Sequence, residues 1–484
     1  MKRVCLSYFA VVILCCSSFG SFASTNKASV IINKVIEAYG GEKLTHAKAI
    51  SITDHNKGPW PGESENPGVP EIWRINEALT IDFVNKRKSL LSYRVPRTTI
   101  DLEKWIFDGK KGIKYDILHK KYSYEEWVSY HNLGGSVVRS SDTMHAKFLH
   151  TDLSEVSYTG DEFYRGKAHY ILTATLNSGL KFSYFIEQNS ALINKAVRHH
   201  PSADLIYVFS NHTQTDGVTY ARDMNFFVNG ELRLTSVFRD LELNPSITEA
   251  FKPLADFKPW GDTFDDTEFS TRQLAEHIYQ IGKDRAQTVF IEQANHYIAM
   301  GDANELPANF DALKKLTNSD KPLRYFVVTH HHRGNLNGLD NAIALGAKLV
   351  VTHAHKKVIE NALSQPNSKD NFLIINDRKA FSLGELELFD IATAHSLHYL
   401  LVFSPKHKMV IAQEHYETNL VSGKPRIYKD MVIFGNALDA LNIEVEQLID
   451  TRSWRTISMD DFSQWVKDFE EKVCPAGYDI CANG

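Results

Sequence analysis

Residues 324–345 read RYFVVTHHHRGNLNGLDNAIAL, and the pattern changes character twice. Tyr325–Val328 is a run of apolar and aromatic residues of the length of a short buried strand. It stops at Thr329 and meets three consecutive histidines, His330, His331 and His332. A polar turn, 333–337, follows. From Gly338 to Leu345 the pattern predicts a helix, with Asn337 as N-cap, Asp340 three residues on and Gly346 just past the end. Side chains at i and i+2 of an extended segment point the same way. His330 and His332 can therefore face one metal ion while His331 faces elsewhere. Strand, His-x-His, helix is the layout of a metal loop at the edge of an α/β sheet.

This stretch resembles the signature of the metallo-β-lactamase superfamily, Thr-His-x-His-x-Asp-His ahead of a Gly-rich helix start. Thr329, His330 and His332 match. The superfamily's Asp falls on Gly334 and its last His on Asn335, so those two positions depart from the pattern. The resemblance implies an αββα sandwich. It also implies His395, in AHSLHYLLVFSP, as a third metal ligand, and Glu414, in VIAQEH, where the shared carboxylate stands. Glu is one methylene longer than the usual Asp, yet it can bind metal or orient a histidine. The superfamily's late His falls on Arg452, in QLIDTRSW, whose fixed positive charge suits a carboxylate or phosphate of the substrate. The expected metal set is thus His330, His332, His395 and Glu414, with Arg452 as a substrate-binding residue. His398 and His415 are neighbours able to substitute as ligands. One carboxylate and no histidine will not hold a second divalent ion, so at most one zinc per chain is expected. Gly334 cannot orient an attacking hydroxide, and no catalytic residue is assigned.

Working outward, KLVVTHAHKKVIENAL reads as strand then helix, and its His353 and His355 form a second, weaker candidate pair. TVFIE and YIAMGD read as two strands, Phe310–Leu316 as a helix, Gln273–Ile281 as helical or extended, ELELFDIATAH as an alternating strand, and HYLLVFSPKHKMVIAQEHY as a hairpin. β and helical stretches alternate as in a sandwich of sheets covered by helices.

From Ala49 to about Leu243 the pattern is strands and turns. LTIDFV, EVSYTG, HYILTATL, LKFSYFIE, DLIYVFS and DMNFFV carry β-branched and aromatic residues, and Asn229-Gly230 marks a hairpin. The borders of this region, IINKVIEAYGGEKL and LELNPSITEAFKPL, look like those of a lipoprotein-localisation-factor-like domain. That resemblance implies a curved antiparallel sheet able to hold an acyl chain or another apolar ligand. Trp60, Trp73, Trp105 and Trp127 are candidates to line such a cavity or to serve as ordinary core and interface aromatics. His145, His150, His199 and His200 have no partner spacing and read as surface histidines.

The chain opens as a secretory leader: Lys2 and Arg3, an apolar core Val4–Cys16, and Ser21-Phe22-Ala23 as the cleavage signal. That core is too short for a membrane span and nothing later is long enough. Cys474 and Cys481, in CPAGYDIC, read as one local disulfide of an exported chain, pinning the tail and not the core. The formal charge of −5 falls by two to −7 when the leader leaves, which disfavours nucleic acid as a partner. No GxSxG, P-loop or GxGxxG after a strand is present.

The expected class is α+β. The expected division is a signal peptide 1–23, a β-rich unit 27–255, a linker 256–268, a metallo-β-lactamase-like unit 269–470 and a disulfide-bearing tail 471–484. The expected function is that of a periplasmic or secreted hydrolase acting on a small molecule, with a non-catalytic ligand-binding protein on the same fold as the alternative.

Overall fold

The computed structural model describes residues 16–96, 99–265, 267–364 and 371–482. Most of the expected leader core thus lies outside the described residues. The described chain opens on the helix Cys16–Tyr39.

Among the described residues, the first half of the chain builds one sheet of fourteen strands. It is an almost continuous meander, running from Leu153–Tyr164 through to Glu231–Leu243. Glu231–Leu243 pairs with Ala49–Trp60, and the sheet continues through Glu71–Asp82, Arg87–Val95 and Asp101–Phe107 toward Lys121–Tyr124. All neighbours are antiparallel except Lys258–Pro259 beside Lys121–Tyr124. The expected linker is therefore partly tied to the sheet's edge.

Side chains alternate between faces as strand geometry requires. Ile50, Ile52, Leu79, Ile81 and Leu90 point to one core, beneath the helices Cys16–Tyr39 and Asp142–Thr151. Burying each of these aliphatic side chains is worth about 1.5–3 kcal/mol. Ala78, Leu91, Tyr93 and Leu102 form a smaller cluster with Ile480 of the C-terminal tail. Cys474 and Cys481 are disulfide-bonded as expected, but the tail does not merely close on itself. Asn76 Nδ2 donates to the Ile480 carbonyl at 2.8 Å, so the tail is seated on the first sheet.

The helix Asp142–Thr151 was not foreseen, and it overturns one expectation. His145 is fully buried, with Nδ1 3.2 Å from Tyr184 Oη and Nε2 2.8 Å from the Arg139 carbonyl. Burial drives its pKa down to about 4. His150, His199 and His200 are exposed as expected. The tryptophans pair off, Trp60 stacked on Trp73 and Trp105 edge-on to Trp127, each at 4.6 Å between centroids. None of the four lines the cavity between this sheet's helices and strands, and they serve as packing aromatics.

The second half forms two smaller sheets. One has seven strands, from Ser270–Ala275 to Phe372–Ile375, whose last three pairings are parallel. The other has six, from Ala380–Leu383 to Ile457–Ser458. Val289, Ile298, Val327 and Val350 of the former pack on Leu388, Leu400, Val402 and Ile411 of the latter. Helices Leu306–Thr317, Leu339–Ala344 and His353–Ala362 cover the outer face of the seven-stranded sheet. Lys429–Asp439 and Met459–Lys467 cover that of the six-stranded sheet. The layers are thus helix, sheet, sheet, helix.

Candidate metal centre

The strand Leu323–Val327 ends just before the histidines, as the sequence suggested. The polar turn expected at 333–337 is instead a short helix, Arg333–Leu336. The next helix starts at Leu339, and its N-cap is Gly338, not Asn337. Gly338 has φ 75°, and a Cβ there would lie 2.6 Å from the Asn304 backbone nitrogen. Only glycine suits that turn.

Glu414 and Arg452 arrive together because Met409–Ala412 and Gln447–Asp450 are parallel, with Ala412 opposite Asp450. Each residue stands two places beyond its strand's end. Asp450 fixes this corner: its carboxylate accepts from the backbone nitrogens of His415, Tyr416 and Arg452 at 2.8, 3.2 and 2.9 Å. Burial, reinforced by Glu417, raises its pKa to about 6. Glu414 takes φ 68°, an uncommon conformation for a non-glycine residue and one that functional sites often hold.

Glu414 is the hub. Its Oε2 lies 3.0 Å from His330 Nε2, 3.1 Å from His332 Nδ1 and 3.6 Å from His395 Nδ1. One ligand atom from each of these four residues falls within 4.8 Å of every other. All three histidines are buried. Burial, with His332 next in effect, pushes His330 well below the usual imidazole range. Burial works to raise Glu414, yet hydrogen bonds from His330, His332 and His395 carry it well below the usual carboxylate range. The cluster is a carboxylate among imidazoles, with His330 neutral, which is the ligand form of histidine. Outer contacts orient the rings: Thr329 Oγ1 lies 3.0 Å from His330 Nδ1, and Asp430 Oδ2 lies 3.5 Å from His395 Nε2. Three nitrogen donors and one carboxylate fit a divalent ion of the zinc type.

Arg452 Nη2 sits 2.6 Å from Glu414 Oε1 and donates to Asn335 Oδ1 at 3.2 Å. A Cβ added at Gly334 would lie 3.2 Å from the same Nη2. Gly334, Asn335, Glu414 and Arg452 thus share one corner, where the guanidinium occupies the space next to position 334.

His331 turns away and faces His355, with ring centroids 4.8 Å apart. His353 and His355 do not pair. His353 is exposed near Asp377, while His355 is buried beside Ser396 Oγ at 3.1 Å. His398 lies 2.8 Å from Asp390 Oδ2, in a separate group with Asp377. His415 stacks on Phe434 with centroids 4.2 Å apart. Neither His398 nor His415 is in the four-residue cluster.

One neighbour of the site has no local signature in the sequence. The turn between the strands Ala49–Trp60 and Glu71–Asp82 of the large sheet reaches this site. Arg333 N donates to the Gly62 carbonyl at 3.1 Å and Leu397 N to the Glu65 carbonyl at 3.0 Å. Glu63 Oε2 comes within 3.6 Å of His332 Nδ1.

No family model matches the chain, and no curated protein matches it. Solved structures are similar to part of it. A metallo-β-lactamase from Hirschia baltica has 16% identity and a TM-score of 0.33, spanning 41% of this chain and 96% of that one. A metallo-β-lactamase from Pseudomonas aeruginosa, in a mono-zinc form, has 17% identity and a TM-score of 0.34, spanning 42% and 96%. One from Pontibacter korlensis has 12% identity and a TM-score of 0.34, spanning 42% and 100%.

Proposed function

We propose that this chain is an exported metallo-β-lactamase-fold hydrolase with one zinc, held by His330, His332, His395 and Glu414. The observation that carries the reading is the convergence of those four side chains in a buried site at the ends of the strands of a helix-covered double sheet. The chemistry that zinc supplies when bound is Lewis acidity toward a carbonyl or phosphoryl oxygen and a lowered pKa for water.

The chain's own residues have separable tasks. Asp430 and Thr329 hold the rings of His395 and His330. Asp450 holds the turn that carries Glu414. Arg452 presents a permanent cation beside Glu414, suited to an anionic group of a small-molecule substrate. The turn 61–70 is held against the site by Arg333 and Leu397 and brings a second carboxylate, Glu63, beside His332. The substrate class stays open among lactams, lactones, thioesters and phosphoesters. Export rests on the leader pattern, and among the described residues no helix is long and apolar enough to cross a membrane.

A second reading is a non-catalytic binding protein. One observation favours it: Glu414 reaches all three imidazoles and is itself paired with Arg452, so the cluster is self-satisfied. Elemental analysis of purified protein separates the two. About one zinc per chain, with turnover of an activated ester, lactam or phosphodiester that EDTA removes, supports the hydrolase. No zinc after reconstitution, in a folded protein, overturns it in favour of the binding protein.

A further inference from the structure

The large sheet holds a cavity of about 370 Å³ between its helices and its strands, within the usual size range of small-ligand sites. Its walls include Ile81, Met144, Leu176 and Phe182, all buried. Four cations also line it: Lys86, Lys88, Arg139 and Lys147. Lys88 and Lys147 are only 6% and 7% exposed. Lysine is almost never so buried unless paired, and here the pairing is missing. Among the described residues, none of the four forms an ion pair with a carboxylate. The acidic residue in the lining, Asp152, accepts instead from Asn177 Nδ2 at 3.0 Å.

An ammonium carries three donors. Lys88 Nζ uses one, to the Leu133 carbonyl at 3.1 Å. Lys147 Nζ uses two, to the carbonyls of Leu44 and Thr45 at 3.0 and 3.3 Å. Rings support the cations without neutralising them: Lys147 lies 4.6 Å from the Phe83 ring and Lys88 5.0 Å from that of Tyr130. Burial, and then Arg139, pulls Lys88 down to about 8, which is the cost of gathering like charges in an apolar wall without an anion.

We propose that this cavity binds an anionic amphiphile, with an apolar chain among Ile81, Met144, Leu176 and Phe182 and a carboxylate or phosphate head on Lys88, Lys147 and Arg139. The apolar wall alone would suit a neutral hydrocarbon, and the cations alone would suit free phosphate. Only a ligand with both parts answers both features. The cavity shares no lining residue with the metal group and does not depend on the zinc reading, so zinc-free protein serves equally well.

The test is isothermal titration of the full chain with decanoate, decyl phosphate, decan-1-ol and inorganic phosphate, each below its aggregation limit. Saturable binding of decanoate or decyl phosphate is expected, with decan-1-ol and inorganic phosphate at least about tenfold weaker, the scale of one charge-assisted pair. The tighter of the two anions identifies the head group. Lys88→Met with Lys147→Met should remove the preference for decanoate over decan-1-ol while leaving the alcohol's affinity unchanged. Met144→Trp should abolish binding of both by filling the cavity. Equal affinity for alcohol and carboxylate, no saturable binding, or undiminished decanoate binding by Met144→Trp would each overturn the proposal. Should the lysine variant fail to fold, the wild-type ligand series still decides.

Discussion

Around Glu414 the chain gathers three buried imidazoles, one carboxylate and one guanidinium. Around Lys88 it buries ammonium groups that, among the described residues, pair with no carboxylate. The two places lie in different sheets and handle charge in opposite ways. At the first, both signs come from the chain, and a metal ion would enter a site whose donors are already gathered. At the second, one sign is missing, and a ligand must bring it. The contrast separates a preorganised donor set from an incomplete one. It also predicts different sensitivities: geometry should govern the first place and ligand charge the second.

The largest effects are expected at the first. His330→Ala and His332→Ala should each take zinc from about one per chain to none, because either change leaves too few donors. His331→Ala should leave it nearly intact, since His331 faces His355 and not Glu414. Elemental analysis of the folded variants reads this directly. Equal loss in all three would show that the loop's folding, and not ligand geometry, controls the metal.

A slightly smaller change sharpens the role of Arg452. Its Nη2 stands 3.2 Å from where a Cβ at Gly334 would lie. Gly334→Asp alone should therefore form an ion pair with Arg452 and leave the zinc count unchanged. Together with Asn335→His and Arg452→His it should raise the count from about one to about two, with Glu414 shared. If the triple variant folds and still binds at most one, Arg452 is not what stands in place of a second ion.

How much of this was legible follows from which signals are local. The strand before Thr329 and the i, i+2 spacing of His330 and His332 are written in a few consecutive residues, so both were readable. His395, Glu414 and Arg452 came only through resemblance, because their meeting depends on the pairing of distant strands. Glu63 was invisible for a sharper reason. It belongs to a turn of the large sheet, and no local pattern says that this turn reaches across to His332. The helix Asp142–Thr151 was missed because its buried side includes Asp142, His145 and Lys147. A polar residue on an inner face erases the apolar period from which helices are read. The same feature hid both the buried histidine and the cationic cavity.

His145 gives the large sheet a pH dependence of its own, beside that of the buried His330 and His331, whose pKa values burial also lowers. Burial sets its folded-state pKa near 4, below the ordinary 6.5. As pH falls the unfolded chain therefore takes up the proton first. The stability contribution is full above about pH 6.5 and is lost between about 6.5 and 4, in total on the order of 3 kcal/mol. Urea unfolding at pH 7 and pH 5 should show this loss in the wild type and a flatter profile in His145→Asn. An equal slope in both would mean that other groups carry the acid sensitivity.

The smallest effect concerns the tail that links the two halves. Cys474 and Cys481 close a short loop, seven residues apart in sequence, so the bond's contribution lies at the low end of about 2–4 kcal/mol. Ile480 is nevertheless buried against Tyr93, Leu102 and Ile117 of the large sheet, and its carbonyl is held by Asn76. Those contacts do not need the bond to exist, only to stay in register. Reduction should therefore lower the thermal midpoint by no more than several degrees and leave zinc content unchanged, because the tail touches the large sheet and not the histidines. Ile480→Ala should then destabilise the reduced protein at least as much as the oxidised one, since without the bond only packing keeps the tail seated. A midpoint that collapses on reduction alone would show that the bond, more than the packing of Ile480, keeps the tail on the sheet. Zinc lost along with it would tie the tail to the metal centre, and the independence of the tail from the histidines would fail.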